Sequence, residues 1–306
     1  MAPIDFSVLV PVYDNETTLD ELLDRLIKVM EARGGSFEIV LVDDGSRDGS
    51  LALLQRRAAA DPRIRVFAMI RNFGSQAASC AGFDLARGRR VIHIDADLEL
   101  YPEDIPALLD ALDRGADLVC AYREDRQSDL TTRRLPSRLV NAYVRQRTGA
   151  TVRDVGCGLR AAESYVVRNL AAEGEARRLL TPLMLRRARH VVEVPVRHRR
   201  KATPSGHSFF TLLGIALDFY LFTAKRPFLV SGVVSCLALV AGVLMLIAGP
   251  RLYGLVTASA AALGLLLSLV GEYIQRVYQL VQGLPFYQLR ETHEADVVPP
   301  ARNVGS

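Results

Sequence analysis

Short apolar runs alternate along the chain with longer stretches whose apolar residues return every three or four positions. The first pattern suits buried strands and the second amphipathic helices. Residues 7–12 are the first run, and a turn at Asp14, Asn15 and Glu16 follows it. A helix is predicted from about Thr18, where Thr18 and Glu21 have capping-box spacing. Leu19, Leu22, Leu23, Leu26, Ile27 and Met30 form its apolar stripe, and Gly34 and Gly35 end it. The same reading predicts strands over 37–42, 64–69, 91–95 and 116–121, and helices over 50–59, 76–86 and 102–113. Units this short imply an α/β fold with a mostly parallel sheet and helices on both faces. Ligands of such sheets sit outside the carboxyl ends of the strands. The turns after Val12, Val42, Met69 and Asp95 are therefore expected to line one cleft.

From Tyr122 to Arg200 the rhythm is less regular and the charge high, which predicts an acceptor-side subdomain of helices closed by a strand over 191–196. Residues 209–222 are apolar on most sides and read as a helix lying in a membrane interface. Residues 228–248 and 252–270 carry no charge, and each is long enough to span a bilayer. Arg199, Arg200, Lys201, Lys225 and Arg226 precede this pair, Arg276 and Arg290 follow it, and Arg251 stands between its members. The positive-inside rule then puts both termini on the cytoplasmic side of a multi-pass protein of the cytoplasmic (inner) membrane. The expected division is 1–200 as the cytoplasmic catalytic domain, 201–226 as loop and interfacial helix, 227–275 as two membrane helices and 276–306 as a cytoplasmic tail.

Charge changes the picture only in emphasis. The net charge of +4 and pI near 9.0 are mild, and the Arg and Lys residues gather before the apolar segments. That favours a membrane surface over nucleic acid. Cys80, Cys120, Cys157 and Cys236 lack metal-ligand spacing and fit a reducing compartment. No signal-peptide pattern opens the sequence.

The strand ends carry the chemistry. No Gly-x-Gly-x-x-Gly follows the first strand and no Gly-x-x-x-x-Gly-Lys occurs, so dinucleotide and P-loop readings lose their main support. The ends are acidic instead: Asp14 and Glu16, Asp43 and Asp44, then Asp95, Asp97 and Glu99. Residues two apart on an extended strand share a face. The last three could converge on one hard cation, magnesium or manganese, whose shell substrate phosphates complete. The plain alternatives are a solvated acidic turn at 95–99 and an ordinary turn at Asp43-Asp44-Gly45-Ser46.

Taken in order, Pro11-Val-Tyr-Asp-Asn-Glu16, Val42-Asp-Asp-Gly-Ser46, Arg71-Asn-Phe-Gly74 and Asp95-Ala-Asp-Leu98 resemble the family 2 inverting glycosyltransferases. The resemblance is to their polyprenyl-phosphate branch, which includes dolichol-phosphate mannose synthase and bacterial undecaprenyl-phosphate glucosyl- and aminoarabinose transferases. Asp154-Val-Gly-Cys-Gly-Leu-Arg160 is similar to a segment that helps close their active site. Gly271-Glu-Tyr-Ile-Gln-Arg276 and Pro285-Phe-Tyr287 are similar to the end of their second membrane helix and the stretch beyond it.

The resemblance implies the fold called GT-A and a divalent metal, Mg2+ or Mn2+, on the Asp-x-Asp pair. It implies that Asp43 binds the base, with Pro11, Tyr13 and Glu16 around the nucleoside and Asp95 and Ala96 beside the nucleotide sugar. Asp95, Asp97 and Glu99 become metal-side residues. Asp97, Asp154, Arg160 and Arg123 become the residues of the chemical step, with Asp154 either orienting the acceptor or acting as base. Arg126, Arg200, Lys201 and Ser208 are candidates for the acceptor phosphate. Glu99 departs from the family's usual Gln. A further departure is the loop after the last predicted strand, where Phe209 stands in place of a family Lys and His207 or Lys201 is left to substitute. The resemblance also implies a homo-oligomer, a tetramer.

The chemistry agrees with that carry-over. A departing nucleoside diphosphate is stabilised by a Lewis-acid metal. A lipid phosphate acceptor is already an anion and asks for positive charge rather than a strong base. The reaction expected is transfer of one sugar from a nucleotide sugar, a UDP-sugar in the first instance, to polyprenyl (undecaprenyl) phosphate. Rivals are a GDP-mannose-using mannose synthase and a processive polysaccharide synthase, a class associated with Gln-x-x-Arg-Trp, whereas this chain has no Trp. A catalytically dead membrane scaffold is the non-enzymatic rival, and the intact Asp43, Asp95 and Asp97 argue against it.

Overall fold

The computed structural model describes residues 3–124, residues 152–199 apart from 155, 169 and 171–179, isolated positions between 256 and 277, and residues 287–290. Its described strands form one seven-stranded sheet: β1 (Phe6–Val12), β2 (Phe37–Asp43), β3 (Ile64–Ala68), β4 (Arg90–His93), β5 (Leu118–Arg123), β6 (Arg160–Glu163) and β7 (Val191–Val196). The order across the sheet is β3-β2-β1-β4-β6-β5-β7. All neighbouring pairs are parallel except those of β6, which runs against β4 on one side and β5 on the other. The helices are α1 (Glu16–Arg33), α2 (Ser50–Ala60), α3 (Ser75–Leu85), α4 (Ile105–Asp113), α5 (Ser164–Val167) and α6 (Leu180–Arg187).

The central strands are apolar on both faces because helices cover both. Along β1, Val8, Val10 and Val12 pack into one apolar cluster with Leu19, Leu22, Leu23 and Leu26 of α1, while Leu9 turns to the other, shared with Ala77, Ala78 and Phe83 of α3. In β2, Ile39 and Leu41 divide from Val40 and Val42 in the same way. Each fully buried side chain of this kind contributes roughly 1.5–3 kcal/mol relative to exposure. Gly82 lets α3 approach β1 closely, since a Cβ there would stand 1.9 Å from Leu9 Cδ1.

Two expectations are corrected. The Thr18–Glu21 capping box does not start α1. The helix begins at Glu16 after Asn15, with no side-chain cap, and the Thr18 hydroxyl donates across the cleft to the Ala96 carbonyl at 2.7 Å. Thr18 lies inside the first turn, not at its N-cap, and its hydroxyl also faces the Asn15 carbonyl at 3.1 Å. The region after β5 is not simply helical either: Arg160–Glu163 is a strand inserted between β4 and β5. Four residues hold too little pattern to announce a strand, and the pairing that makes it one is entirely non-local.

No helix among the described residues is long and apolar enough to cross a membrane. The interfacial helix over 209–222 and the apolar run over 228–248 lie outside the described residues. Of the second run, the described positions between 256 and 270 are helical, and Val256, Leu263 and Leu267 are exposed, as is Ile274 beyond them.

Candidate active site

The loops after β1, β2, β3 and β4 meet at the carboxyl edge of the sheet. The first two are laced together. Asp14, in the left-handed region at φ 51°, accepts the Arg47 N–H at 2.7 Å, and its own N–H donates to Ser46 Oγ at 3.1 Å. Glu16 accepts the Gly49 N–H at 3.0 Å, so its carboxylate braces the β2 loop. Pro11 is buried in β1 opposite Val42, while Tyr13 is exposed at the rim.

Asp43 and Asp44 are both buried, and they do different work. Asp43 turns back on its own loop, accepting the N–H groups of Gly45 and Ser46 at 3.2 Å each. Asp44 reaches the loop after β3 and accepts from Phe73 at 2.7 Å and Gly74 at 2.8 Å. Burial raises its pKa above the ordinary carboxylate value, the two N–H groups oppose that shift, and the Asp43 charge adds to it. Gly45 adopts φ 73° and lies so close to this loop that a Cβ would be 2.8 Å from the Arg71 carbonyl carbon. Sequence reading named both Asp43 and Asp44 among the acidic strand ends and gave a binding role to Asp43 alone. Their adjacency was the available signal, but which of the two faces the neighbouring loop depends on the fold.

After β4 the chain alternates buried Ile94, Ala96 and Leu98 with half-buried Asp95, Asp97 and Glu99. The backbone bends at Leu98, whose φ is 54°. A non-glycine residue in that region is strained, a feature that gathers at functional sites. The bend lets Asp97 Oδ1 accept the Glu99 N–H at 3.1 Å, and Glu99 is redirected towards His198, with Oε2 3.5 Å from Nε2. That contact is a close approach without hydrogen-bond geometry. No group of three or more His, Cys, Asp or Glu that could hold a metal occurs among the described residues. Asp95, Asp97 and Glu99 therefore do not form the expected three-carboxylate cluster. Asp95 and Asp97 still fit a hard divalent cation, because magnesium typically takes one or two carboxylates and fills its shell with phosphate oxygens and water.

The described residues 156–160 approach Asp95. Gly158 lies against Asp95 so tightly that a Cβ would stand 1.8 Å from Oδ2. The buried His93 fixes it there. Nδ1 faces the Gly158 carbonyl at 2.6 Å and Nε2 faces Ser79 Oγ at 2.9 Å, so the carbonyl takes its proton from Nδ1. Burial holds His93 below the usual imidazole value; the Asp95 charge works against that and Arg160 works with it. Asp154, nearly fully buried, is gripped by Arg123, whose Nε donates at 2.7 Å and Nη2 at 3.2 Å. Burial opposes the charge on Arg123, and the Asp154 carboxylate outweighs it, leaving the guanidinium raised. Arg160, at the start of β6, is buried and donates to the Cys157 carbonyl at 2.7 Å. Its observed contact braces the segment. Arg126, Arg200, Lys201 and Ser208 lie outside the described residues, as does His207.

Residues 7–168 match Glycosyl transferase family 2. The chain belongs to that family. It is 35% identical to the undecaprenyl-phosphate 4-deoxy-4-formamido-L-arabinose transferase of Edwardsiella ictaluri, over 95% of this chain and 94% of that protein. The identity is 38% to the protein of the same name from Pseudomonas aeruginosa, over 92% of this chain and 89% of that one. These matches put the chain in the polyprenyl-phosphate branch of family 2. Among solved structures, glucosyl-3-phosphoglycerate synthase from Mycobacterium tuberculosis, in complex with Mn2+ and UDP-glucose, superposes with a TM-score of 0.54 at 20% identity, covering 72% of this chain and 79% of that one. At that identity the likeness establishes the GT-A-like fold of this family 2 enzyme.

Proposed function

We propose that this glycosyltransferase moves a single sugar, with inversion, from a UDP-sugar to undecaprenyl phosphate at the cytoplasmic face of a membrane. The observation that carries the reading is Asp95 and Asp97, both half-buried just past the carboxyl end of β4, with Gly158 lying against Asp95. Pro11, Tyr13 and Asp43 line the nucleoside end, with Glu16 holding the β2 loop in place. A magnesium or manganese ion on Asp95 and Asp97 would supply Lewis-acid stabilisation to the departing diphosphate. Asp154 fixes the orientation of the Arg123 guanidinium, whose remaining N–H groups are suited to holding the anionic acceptor in line. Asp154, committed to Arg123, orients rather than accepts a proton, and an acceptor already ionised asks for no base.

The membrane reading draws support from the path of the chain. His198 is bridged to Leu100, and residues 287–290 are bonded to the end of β3, so the chain leaves and rejoins the same domain. Any membrane crossings between these two points are then even in number, as a two-helix hairpin requires. Exposed Val256, Leu263, Leu267 and Ile274 present an apolar surface suited to lipid. The full-length relatives make 4-deoxy-4-formamido-L-arabinose the first donor sugar to test. A tetrameric assembly belongs to the same proposal.

The test is a panel of nucleotide sugars with and without Mg2+ or Mn2+, read by thermal stabilisation and by transfer to undecaprenyl phosphate. A ligand at 100 times its Kd adds about 2.7 kcal/mol of stability. Asp97→Asn is expected to abolish transfer while the protein still folds. Full turnover by that variant in excess EDTA refutes the metal assignment, and a panel with no transfer to any polyprenyl phosphate refutes the acceptor.

A further inference from the structure

Beyond the apolar runs the chain returns to the sheet. Residues 287–290 alternate half-buried Tyr287 and Leu289 with exposed Gln288 and Arg290, as an extended strand does. Leu289 is bridged antiparallel to Met69 just past the end of β3. The Ile70 N–H donates to the Gln288 carbonyl at 3.0 Å, and the Arg290 N–H donates to the Ala68 carbonyl at 2.7 Å. The Tyr287 hydroxyl donates to Asp84 of α3 at 2.8 Å. Tyr287 and Leu289 pack against the same apolar cluster as Phe73.

What this strand touches decides its role. Ile70 leads directly into the 71–74 loop, whose Phe73 and Gly74 N–H groups hold Asp44. The same loop lies against Gly45 with no space for a Cβ. A shift of the loop would strip the partners from a buried carboxylate and disturb the Asp43 turn beside it.

We propose that residues 287–290 are a strap that positions the donor end of the cleft, tying the chain beyond the apolar segments to the 71–74 loop and, through Asp44, to the Asp43 turn. Covering a bare strand edge is the lesser role, and the two roles differ in how far the effect travels. The consequence for donor binding rests on the proposed function, since it takes the Asp43 turn as the nucleoside site.

The test uses the full-length enzyme in detergent or bilayer. Arg290→Pro deletes one strap donor at an exposed position, and Tyr287→Phe deletes the bond to Asp84 with little risk to folding. Amide exchange of Phe73 and Gly74 is expected to quicken by roughly three- to tenfold in Arg290→Pro, the fold-change equivalent to one lost backbone hydrogen bond. Tyr287→Phe is expected to act in the same direction. UDP affinity should weaken by a similar factor, with the KM for lipid phosphate unchanged. Faster exchange at Ile70 alone, with Phe73 and Gly74 as in the wild type, overturns the proposal and leaves an edge cover. If the wild-type enzyme binds no UDP, the donor reading fails on its own, and the exchange of Phe73 and Gly74 still decides the strap.

Discussion

Gly158→Ala tests the closing of the site more directly than removal of any charged group. The new Cβ would stand 1.8 Å from Asp95 Oδ2 and 2.5 Å from its Cγ. Reaching ordinary contact, about 3.5 Å, requires roughly 1.7 Å of movement. The loop resists, because His93 holds the Gly158 carbonyl at 2.6 Å and Arg160 holds that of Cys157 at 2.7 Å. Asp95 must therefore give, and its carboxylate leaves its present position. A misplacement near 1 Å costs up to about 100-fold in rate, close to 2.7 kcal/mol of transition-state stabilisation. The expected result is a loss of one to two orders of magnitude in kcat/KM (roughly, by the same scale), with a raised metal requirement. Overpacking should lower folding stability by about 1–3 kcal/mol. Gly156→Ala is the control, since its Cβ would meet Asp154 Oδ1 at an ordinary 3.7 Å. The assay is sugar transfer over a manganese titration, with urea unfolding alongside. Unchanged kcat/KM and metal dependence in a folded Gly158→Ala enzyme would refute the reasoning.

Two further predictions concern groups away from the acidic pair. Glu38→Ala should cost roughly 3–5 kcal/mol in urea unfolding, since it strands a buried charge: Glu38 binds Arg65 at 2.9 Å, Ser7 Oγ at 2.6 Å and the Arg87 N–H at 2.7 Å. A cost under about 1 kcal/mol would mean the pair behaves as a surface bridge. Burial pushes the Cys120 thiol up to about 12 and the Cys157 thiol up to about 11, from an ordinary 9.0. Above pH 9 the unfolded chain therefore loses these protons first, and stability should fall as pH rises from about 9 towards 11, by up to about 1.4 kcal/mol per pH unit for each thiol. Iodoacetamide at pH 8 should leave both unmodified until unfolding, and native labelling at either position would contradict this.

Leu98 links local strain to chemistry. β4 ends at His93, residues 96–97 turn and Leu98 takes a left-handed backbone, so the 95–99 stretch does not run on as a strand and Glu99 turns to His198. The family's usual Gln at this position would place an uncharged amide beside His198. Glu99 instead gives that imidazole an anionic neighbour.

Most of the scaffold could be read from the sequence. The predicted ranges for β1, β2, β3, α1, α2 and α3 lie within two residues of those observed, because each is an amphipathic or doubly buried segment whose period is set by what it must bury. The acidic carboxyl edge followed from the same pattern, since parallel strands bring the loops after them to one side. Tertiary structure decided whatever depended on a partner distant in the chain. It turned Arg160–Glu163 into a strand by lodging it between β4 and β5. It gave the Thr18 hydroxyl an acceptor in the Ala96 carbonyl, and it assigned Asp44 to the loop after β3 while Asp43 kept its own turn. It pressed Gly158 onto Asp95 through a histidine that no motif marked, and it brought residues 287–290 back to β3. Periodicity reports which face of a segment is apolar. It carries no information about which hydrogen-bonding group across the fold will reach a given donor first, and in this enzyme that competition shapes the active site.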